Sequence, residues 1–183
     1  MNGRDRLRSA LNWVNGSTLL GLALAKVAGC EIRPAPRGLL FAHGYSPGLP
    51  KASAFTVGNV VLFRGGPAEV ARRPRLVAHE ARHSAQYALC FGVPFFPAYF
   101  FFAGLSWLLT GDPASRNPFE RAAGLQAGGY TERPVRPALR RVLRRRVLRR
   151  VSVPRRFSVP RRFSVPRRPA PGRQPRPPRL PGQ

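Results

Sequence analysis

The amino-acid sequence predicts an α+β fold, in which a short β-hairpin or strand precedes a run of helices. Three observations lead to this prediction. The β-rich run AFTVGNVVLF stands directly before a stretch with helical spacing, RLVAHEARHSAQYALC. An apolar run and a short, capped helical pattern follow that stretch. Residues 133–183 then differ sharply in composition from everything before them.

Charge divides the chain into two parts. The formal net charge is +25 over 183 residues. Residues 1–132 hold 14 basic and all 7 acidic residues, whereas residues 133–183 hold 18 arginines and no acid. The second part is also rich in proline and repeats VSVPRR, FSVPRR, FSVPRR. Such a composition cannot offset the entropy of ordering. We therefore predict a folded domain at 1–132, with its core at 39–130, and a disordered, low-complexity basic tail at 133–183.

The tail has candidate partners of its own. A run of arginines without acids attracts polyanions. Nucleic acid is one such partner, through phosphate contacts, and anionic lipid is another, at about 1 kcal/mol per basic residue near the membrane surface. Phe157 and Phe163 lie between arginine pairs and can stack on bases or enter lipid. The alternative is a solvated tail without a dedicated partner.

Residues 5–28 predict an N-terminal helix, interrupted near Asn15 and ended by Gly29. Three arginines precede the apolar stretch STLLGLALAKVAGC, which resembles a signal sequence. Lys26 interrupts that stretch, so we favour an amphipathic helix packed on the core. Cys30 and Cys90 are too few for a disulfide framework. We expect both thiols to be buried, which suits a reducing compartment, and we expect a cytoplasmic protein.

The rest of the body alternates between turn signals and regular patterns. Glycine and proline in residues 31–53 indicate loop with short extended pieces. Gly58-Asn59 suits a tight hairpin, with one continuous strand as the alternative. Helices are expected at 74–90 and at 117–127, the second ended by Gly128-Gly129.

Between these two helices lies an apolar run at 91–109. The run has no charged residue, but prolines divide it and leave one unbroken candidate helix at 97–109. Thirteen residues are short for a membrane span. We favour a core helix or one lying on the membrane surface. Basic residues flank the run on both sides, which is compatible with association with the inner face of a membrane.

The pentapeptide HEARH carries the candidate chemistry. His79 and His83 are four residues apart, so on a helix their imidazoles lie on one face and can bind the same ion. Zinc takes nitrogen ligands at about 2.0–2.1 Å in a tetrahedral set. Glu80 is displaced around the helix, where it can act as general base on a metal-activated water. The alternative is a pair of surface histidines on an ordinary helix.

A third ligand has to be a histidine or an acid elsewhere in the chain. The candidates are His43, Asp112, Glu120 and Glu132. Glu120 also fits a capping box, because Asn117 stands three residues before it. Local physics leaves the two roles of Glu120 evenly balanced.

The order of these elements resembles the gluzincin branch of the zincin metallopeptidases. HEARH matches the HExxH of that family, and NPFERAA resembles its E-x-x-A segment, with Glu120 and Ala123 in the matching positions. The region AFTVGNVVLFRGG resembles small bacterial zincin-like domains, and the whole similarity spans about 39–130. The resemblance implies Zn²⁺ held by His79, His83 and Glu120, with Glu80 as the catalytic base.

Two departures from the family pattern concern Gly124 and the long interval from His83 to Glu120. Many gluzincins have an aspartate at the position of Gly124, where it orients a histidine ligand. Tyr130 is the candidate stabiliser of the transition state. We interpret the protein as a zinc metallopeptidase acting on a peptide or protein substrate. The alternative is an inactive zincin-like scaffold whose tail binds nucleic acid or anionic membrane.

Overall fold

The computed structural model describes residues 1–137 and residue 141. The predicted α+β class is confirmed, with one four-stranded sheet and several helices. The strands are β1 (Glu31–Ala35), β2 (Leu39–His43), β3 (Ala54–Val57) and β4 (Val60–Phe63). The helices are α1 (Gly3–Val14), α2 (Ser17–Val27), α3 (Pro67–Ala71), α4 (Pro74–Leu89), α5 (Phe95–Thr110) and α6 (Pro118–Ala123). Most of the predicted tail lies outside the described residues, and so do the predictions made for it.

The N-terminal region forms two helices, with the break at the predicted place. Gly16 between them adopts φ 76°. A buried polar network fixes α1 to α4 and to the β-hairpin. Asn12 donates to Oδ1 of Asn59 at 3.0 Å and to the carbonyl of Ser84 at 2.9 Å, and Arg8 donates to Oδ1 of Asn59 at 2.7 Å. The first helix therefore packs on the body, as the sequence predicted.

The sheet has the order β1-β2-β4-β3. The hairpin across Gly58-Asn59 is confirmed, since β3 and β4 are antiparallel with Val57 opposite Val60. The prediction for 31–53 was only partly right. Its extended pieces, β1 and β2, supply half of the sheet, and β2 runs parallel to β4. Pro34 is tolerated because β1 is an edge strand, where a missing amide hydrogen leaves no ladder bond unmade.

Strand β4 is buried on both faces of the sheet, so its residues alternate between two apolar clusters. Val60 and Leu62 pack in one cluster with Ala25 of α2, Tyr87 of α4 and Phe95 of α5. The second cluster consists of the alternate β4 residues and their neighbours: Leu39, Ala54, Val61, Phe63, Val70 and Leu76. Helix α4 contributes to both clusters, and β3 lies directly against it.

Two of the three later helices differ from their predicted limits. Helix α4 lies where the sequence placed it. Helix α5 begins at Phe95, two residues before the predicted start at Pro97. Pro97 is tolerated inside it because amides in the first helical turn have no intrahelical partner. Helix α6 ends at Ala123 and not at 127, because Gly124 adopts φ 88° and breaks the helix before Gly128 is reached.

The apolar run forms a helix that is buried on one side only. Phe95, Ala103, Ser106 and Thr110 of α5 are buried, while its other side is exposed. Within the described residues, none of the helices is both long and apolar enough to cross a membrane.

Candidate metal centre

The HEARH segment lies in the middle of α4, where the helix is covered on both sides. His79, Glu80 and His83 are all buried. The two histidines face α6, and Glu80 faces β3. This division follows from the helical spacing, since residue 80 is turned about 100° from residue 79.

Helix α6 brings Glu120 to the two histidines. Nε2 of His79 lies 3.3 Å from Oε2 of Glu120, and Nε2 of His83 lies 3.6 Å from Oε1. The two Nε2 atoms are 3.1 Å apart. One donor atom from each of the three residues can be chosen so that all lie within 4.8 Å of one another. The structure therefore joins the three side chains that the sequence singled out.

The other candidate ligands lie elsewhere. His43 stacks on Phe63, and its Nδ1 faces the carbonyl of Gly65 at 3.4 Å. Asp112 accepts hydrogen bonds from the loop that follows it, including the amide of Ser115 at 2.7 Å. Glu132 forms exposed ion pairs with arginines. Among the described residues, only Glu120 completes a group with both histidines.

The competition between capping and metal binding at Glu120 is resolved by Asn117. Its side chain accepts from the amide of Phe119 at 3.0 Å and caps α6 by itself. The carboxylate of Glu120 turns inward instead, and its Oε1 accepts a hydrogen bond from the hydroxyl of Tyr99 at 2.5 Å. The capping box suggested by the sequence is not formed.

Backbone carbonyls orient His79. Its Nδ1 lies 3.1 Å from the carbonyl oxygens of both Ala123 and Gly124. A carbonyl only accepts, so Nδ1 carries the proton and Nε2 keeps its lone pair. These carbonyls do what a carboxylate does for ligand histidines elsewhere. His79 therefore has a hydrogen-bond partner even though position 124 is a glycine and not an aspartate.

Gln86 orients His83 by the same logic. Its Nε2 donates to the carbonyl of Phe119 at 2.9 Å, which fixes the direction of the amide. Its Oε1 then faces Nδ1 of His83 at 2.8 Å and accepts from it. Nε2 of His83 is left with its lone pair, directed towards His79 and Glu120.

The resulting arrangement fits a metal ion. Two lone-pair nitrogens and a carboxylate crowd together, and the buried Oε2 of Glu120 has no hydrogen-bond donor among the described residues. Neutral imidazoles with protonated Nδ1 cannot donate from Nε2, so a cation is needed to offset the repulsion. Bonds of 2.0–2.1 Å in a tetrahedral zinc site separate neighbouring ligand atoms by about 3.3 Å. The observed spacings of 3.1, 3.3 and 3.6 Å lie around that value.

The pKa values of the metal-free group also favour a bound cation. Without an ion, a histidine that takes up a proton at Nε2 can donate to Glu120. Burial by itself would raise the pKa of Glu120, but hydrogen bonds of this kind from His79 and His83 outweigh it and lower that pKa to about 2. Burial lowers the pKa of His83, yet Glu120 and Glu80 more than offset burial and raise it. The site thus keeps an ionised carboxylate and attracts positive charge beside it.

Glu80 lies apart from this group, in contact with β3. Thr56 donates to its Oε2 at 2.7 Å and to its backbone carbonyl at 3.1 Å. Burial raises the pKa of Glu80 above its usual range. A carboxylate with a raised pKa is a better proton acceptor near neutral pH.

Tyr130 lies near His79. The two ring centroids are 6.3 Å apart, and burial raises the pKa of Tyr130, so its hydroxyl stays protonated.

Sequence reasoning missed three side chains that contact the site. Gln86 carried a readable signal, because it lies three residues after His83 on the same helix face. Tyr99 and Thr56 carried none: the first stands in the apolar run and the second in the β-rich run, and only the fold brings them to the site.

Part of the chain matches a known protein family. The model of the family described as eCIS core domain matches residues 49–89. This segment begins in the loop before β3 and ends with α4, so it includes HEARH and stops short of Glu120. No curated protein and no solved structure matches the chain.

Proposed function

We propose that the body of the chain is a zinc-dependent metallopeptidase domain. In this proposal His79, His83 and Glu120 hold the ion and Glu80 is the general base. The proposal depends on one observation, the convergence of two oriented Nε2 lone pairs and a donor-free carboxylate oxygen at a buried point. The matched family is of the zincin-like HExxH type, which supports it.

Each side chain has a defined task in peptide hydrolysis. A zinc ion held here would make a water molecule more acidic and would polarise the carbonyl of a substrate. Thr56 occupies Oε2 of Glu80, which leaves Oε1 to accept the proton from the attacking water and to pass it to the leaving amine. Tyr130, whose ring centroid lies 6.3 Å from that of His79 and whose hydroxyl stays protonated, is the candidate donor to the developing oxyanion.

Metal content of the full-length protein tests this proposal. We expect about one zinc ion per chain after loading and dialysis, because three protein ligands suffice for a zinc site. His83→Gln should lose it, since removal of one of three ligands weakens binding. His43→Gln is the matched control, because His43 lies outside the group. A parent chain that takes up no zinc would favour the inactive scaffold, in which the basic tail is the functional part.

A further inference from the structure

Helix α5 presents an apolar face to the outside. None of its 16 residues is charged. Successive positions one helical turn apart lie on the same side. The exposed large side chains on this side are Phe100, Phe101, Leu105, Trp107 and Leu108, and the two phenylalanines are 64% and 67% exposed. We call these five residues the α5 face.

The orientation of α5 is fixed by its opposite side. Phe95 packs in the core with Tyr87, their ring centroids 4.3 Å apart. Tyr99 donates to Glu120, and the hydroxyl of Ser106 donates to the carbonyl of Asp112 at 2.7 Å. The α5 face therefore cannot turn inward without breaking buried contacts.

The arginine-rich part of the chain begins beside this face. The backbone amide of Arg136 donates to the carbonyl of Leu109 at 2.9 Å. Its guanidinium lies 5.7 Å from the ring centroid of Trp107, a cation–π contact on the α5 face itself. Residues 137–183 carry 16 further arginines and no acid. The α5 face thus lies beside Arg136, after which the sequence becomes rich in arginine.

We propose that the α5 face, with Arg136 beside it, binds the surface of an anionic lipid bilayer. Phenylalanine, leucine and tryptophan side chains on one side of a helix enter the boundary between headgroups and acyl chains. Arginines nearby gain from the negative surface potential of acidic lipids. Each contribution alone gives weak binding, and the two together give stable attachment.

Charge also decides against other occupants of this face. A second copy of the chain would bring two molecules with net charge +25 together. Nucleic acid would meet the arginines and its bases would stack on aromatic rings, but it offers no apolar layer to Leu105 and Leu108. A bilayer with acidic headgroups offers both an apolar layer and negative charge.

Binding of the full-length protein to vesicles tests the proposal. We expect it to bind vesicles of phosphatidylcholine with phosphatidylserine more tightly than vesicles of phosphatidylcholine alone, and less tightly as salt increases. The double variant Phe101→Glu/Leu108→Glu should partition into the mixed vesicles at least about tenfold more weakly, since two exposed apolar anchors are lost. Leu49→Glu is the matched control, because Leu49 is 73% exposed and lies outside α5.

A second measurement uses tryptophan fluorescence and needs no substitution on the face. Trp13 and Trp107 are the two tryptophans of the chain. In a Trp13→Phe background, emission from Trp107 should shift to shorter wavelength when mixed vesicles are added. Unchanged emission, or a double variant that binds like the parent, would show that the arginines act alone and would overturn the role of the face. A lipid-free dimer that the double variant dissociates would identify the face as a contact between copies, which also overturns the proposal.

Discussion

Tyr99 on α5 donates a hydrogen bond to Oε1 of Glu120 on α6, so the apolar helix holds one of the three candidate metal ligands in place. The hydroxyl leaves Oε2 directed towards His79. Partners of this kind orient ligands and raise metal affinity.

The first prediction concerns this hydroxyl. Tyr99→Phe should lower zinc affinity by about ten- to a hundredfold, the usual effect of losing such a partner. Competition with a chelator of known affinity measures the change. Tyr45→Phe is the matched control, since it removes a hydroxyl that donates to the carbonyl of Leu49 away from the site. Equal zinc affinities for the two variants would rule out a positioning role for Tyr99.

Gly128 is the basis of the second prediction. A Cβ added there would lie 2.6 Å from Cε1 and 2.7 Å from Nε2 of His79. Gly128→Ala should therefore displace the imidazole and weaken zinc binding by about tenfold or more, because ligand geometry is lost. Gly48→Ala is the control, since a Cβ there meets nothing within 4 Å. Isothermal titration with zinc measures the affinities of the two variants. An unaltered zinc affinity in Gly128→Ala would show that the loop around Gly128 moves to accommodate the methyl group and that the prediction is wrong.

The contacts of Tyr99 and Gly128 with the site could not be predicted from the sequence. The candidate ligand set of His79, His83 and Glu120 could be predicted, because helical spacing and a family resemblance can both be read from local sequence. The carbonyls that orient His79 could not be predicted, since every residue has a carbonyl. Only the end of the helix at Gly124 directs these carbonyls towards His79. Gly128 was expected merely to end a helix, and its contact with His79 depends on tertiary packing.

The fold shows the same division between local and long-range information. The hairpin at Gly58 and helix α4 follow from turn chemistry and periodicity, and both were predicted. Strands β1 and β2 were underestimated because Pro34 and the neighbouring glycines weaken a strand pattern. The place of β2 in the sheet depends on its parallel pairing with β4, which is separated from it in the chain. The domain boundary at 132 stays a prediction, although Arg136 still contacts the body.

The third prediction is a pH dependence of the metal-free protein. The pKa of Glu120 is lowered from 4.5 to about 2. A lowered folded-state pKa stabilises the fold above the unfolded value, and this contribution disappears as pH falls through the folded value. At a pH just above 4.5, where His83 with its raised pKa is protonated and can donate to Glu120, the unfolding free energy of the parent should therefore exceed that of Glu120→Gln, and the difference should shrink towards about pH 2. Urea unfolding with a chelator present measures both, and a difference independent of pH would contradict the charge assignment.

The last prediction separates metal binding from catalysis at Glu80. Glu80→Gln keeps the size of the side chain and its contact with Thr56 but removes the proton acceptor. It should retain zinc and lose about 10²–10⁴ in peptidase rate, the usual contribution of a general base. His83→Gln should lose both zinc and activity. Glu69→Gln is the control, since Glu69 forms an exposed ion pair with Arg73 outside the site. Metal analysis beside cleavage of an unstructured protein gives both readouts. If Glu80→Gln cleaves as fast as the parent, Glu80 is not the base, even where zinc is bound by His79, His83 and Glu120.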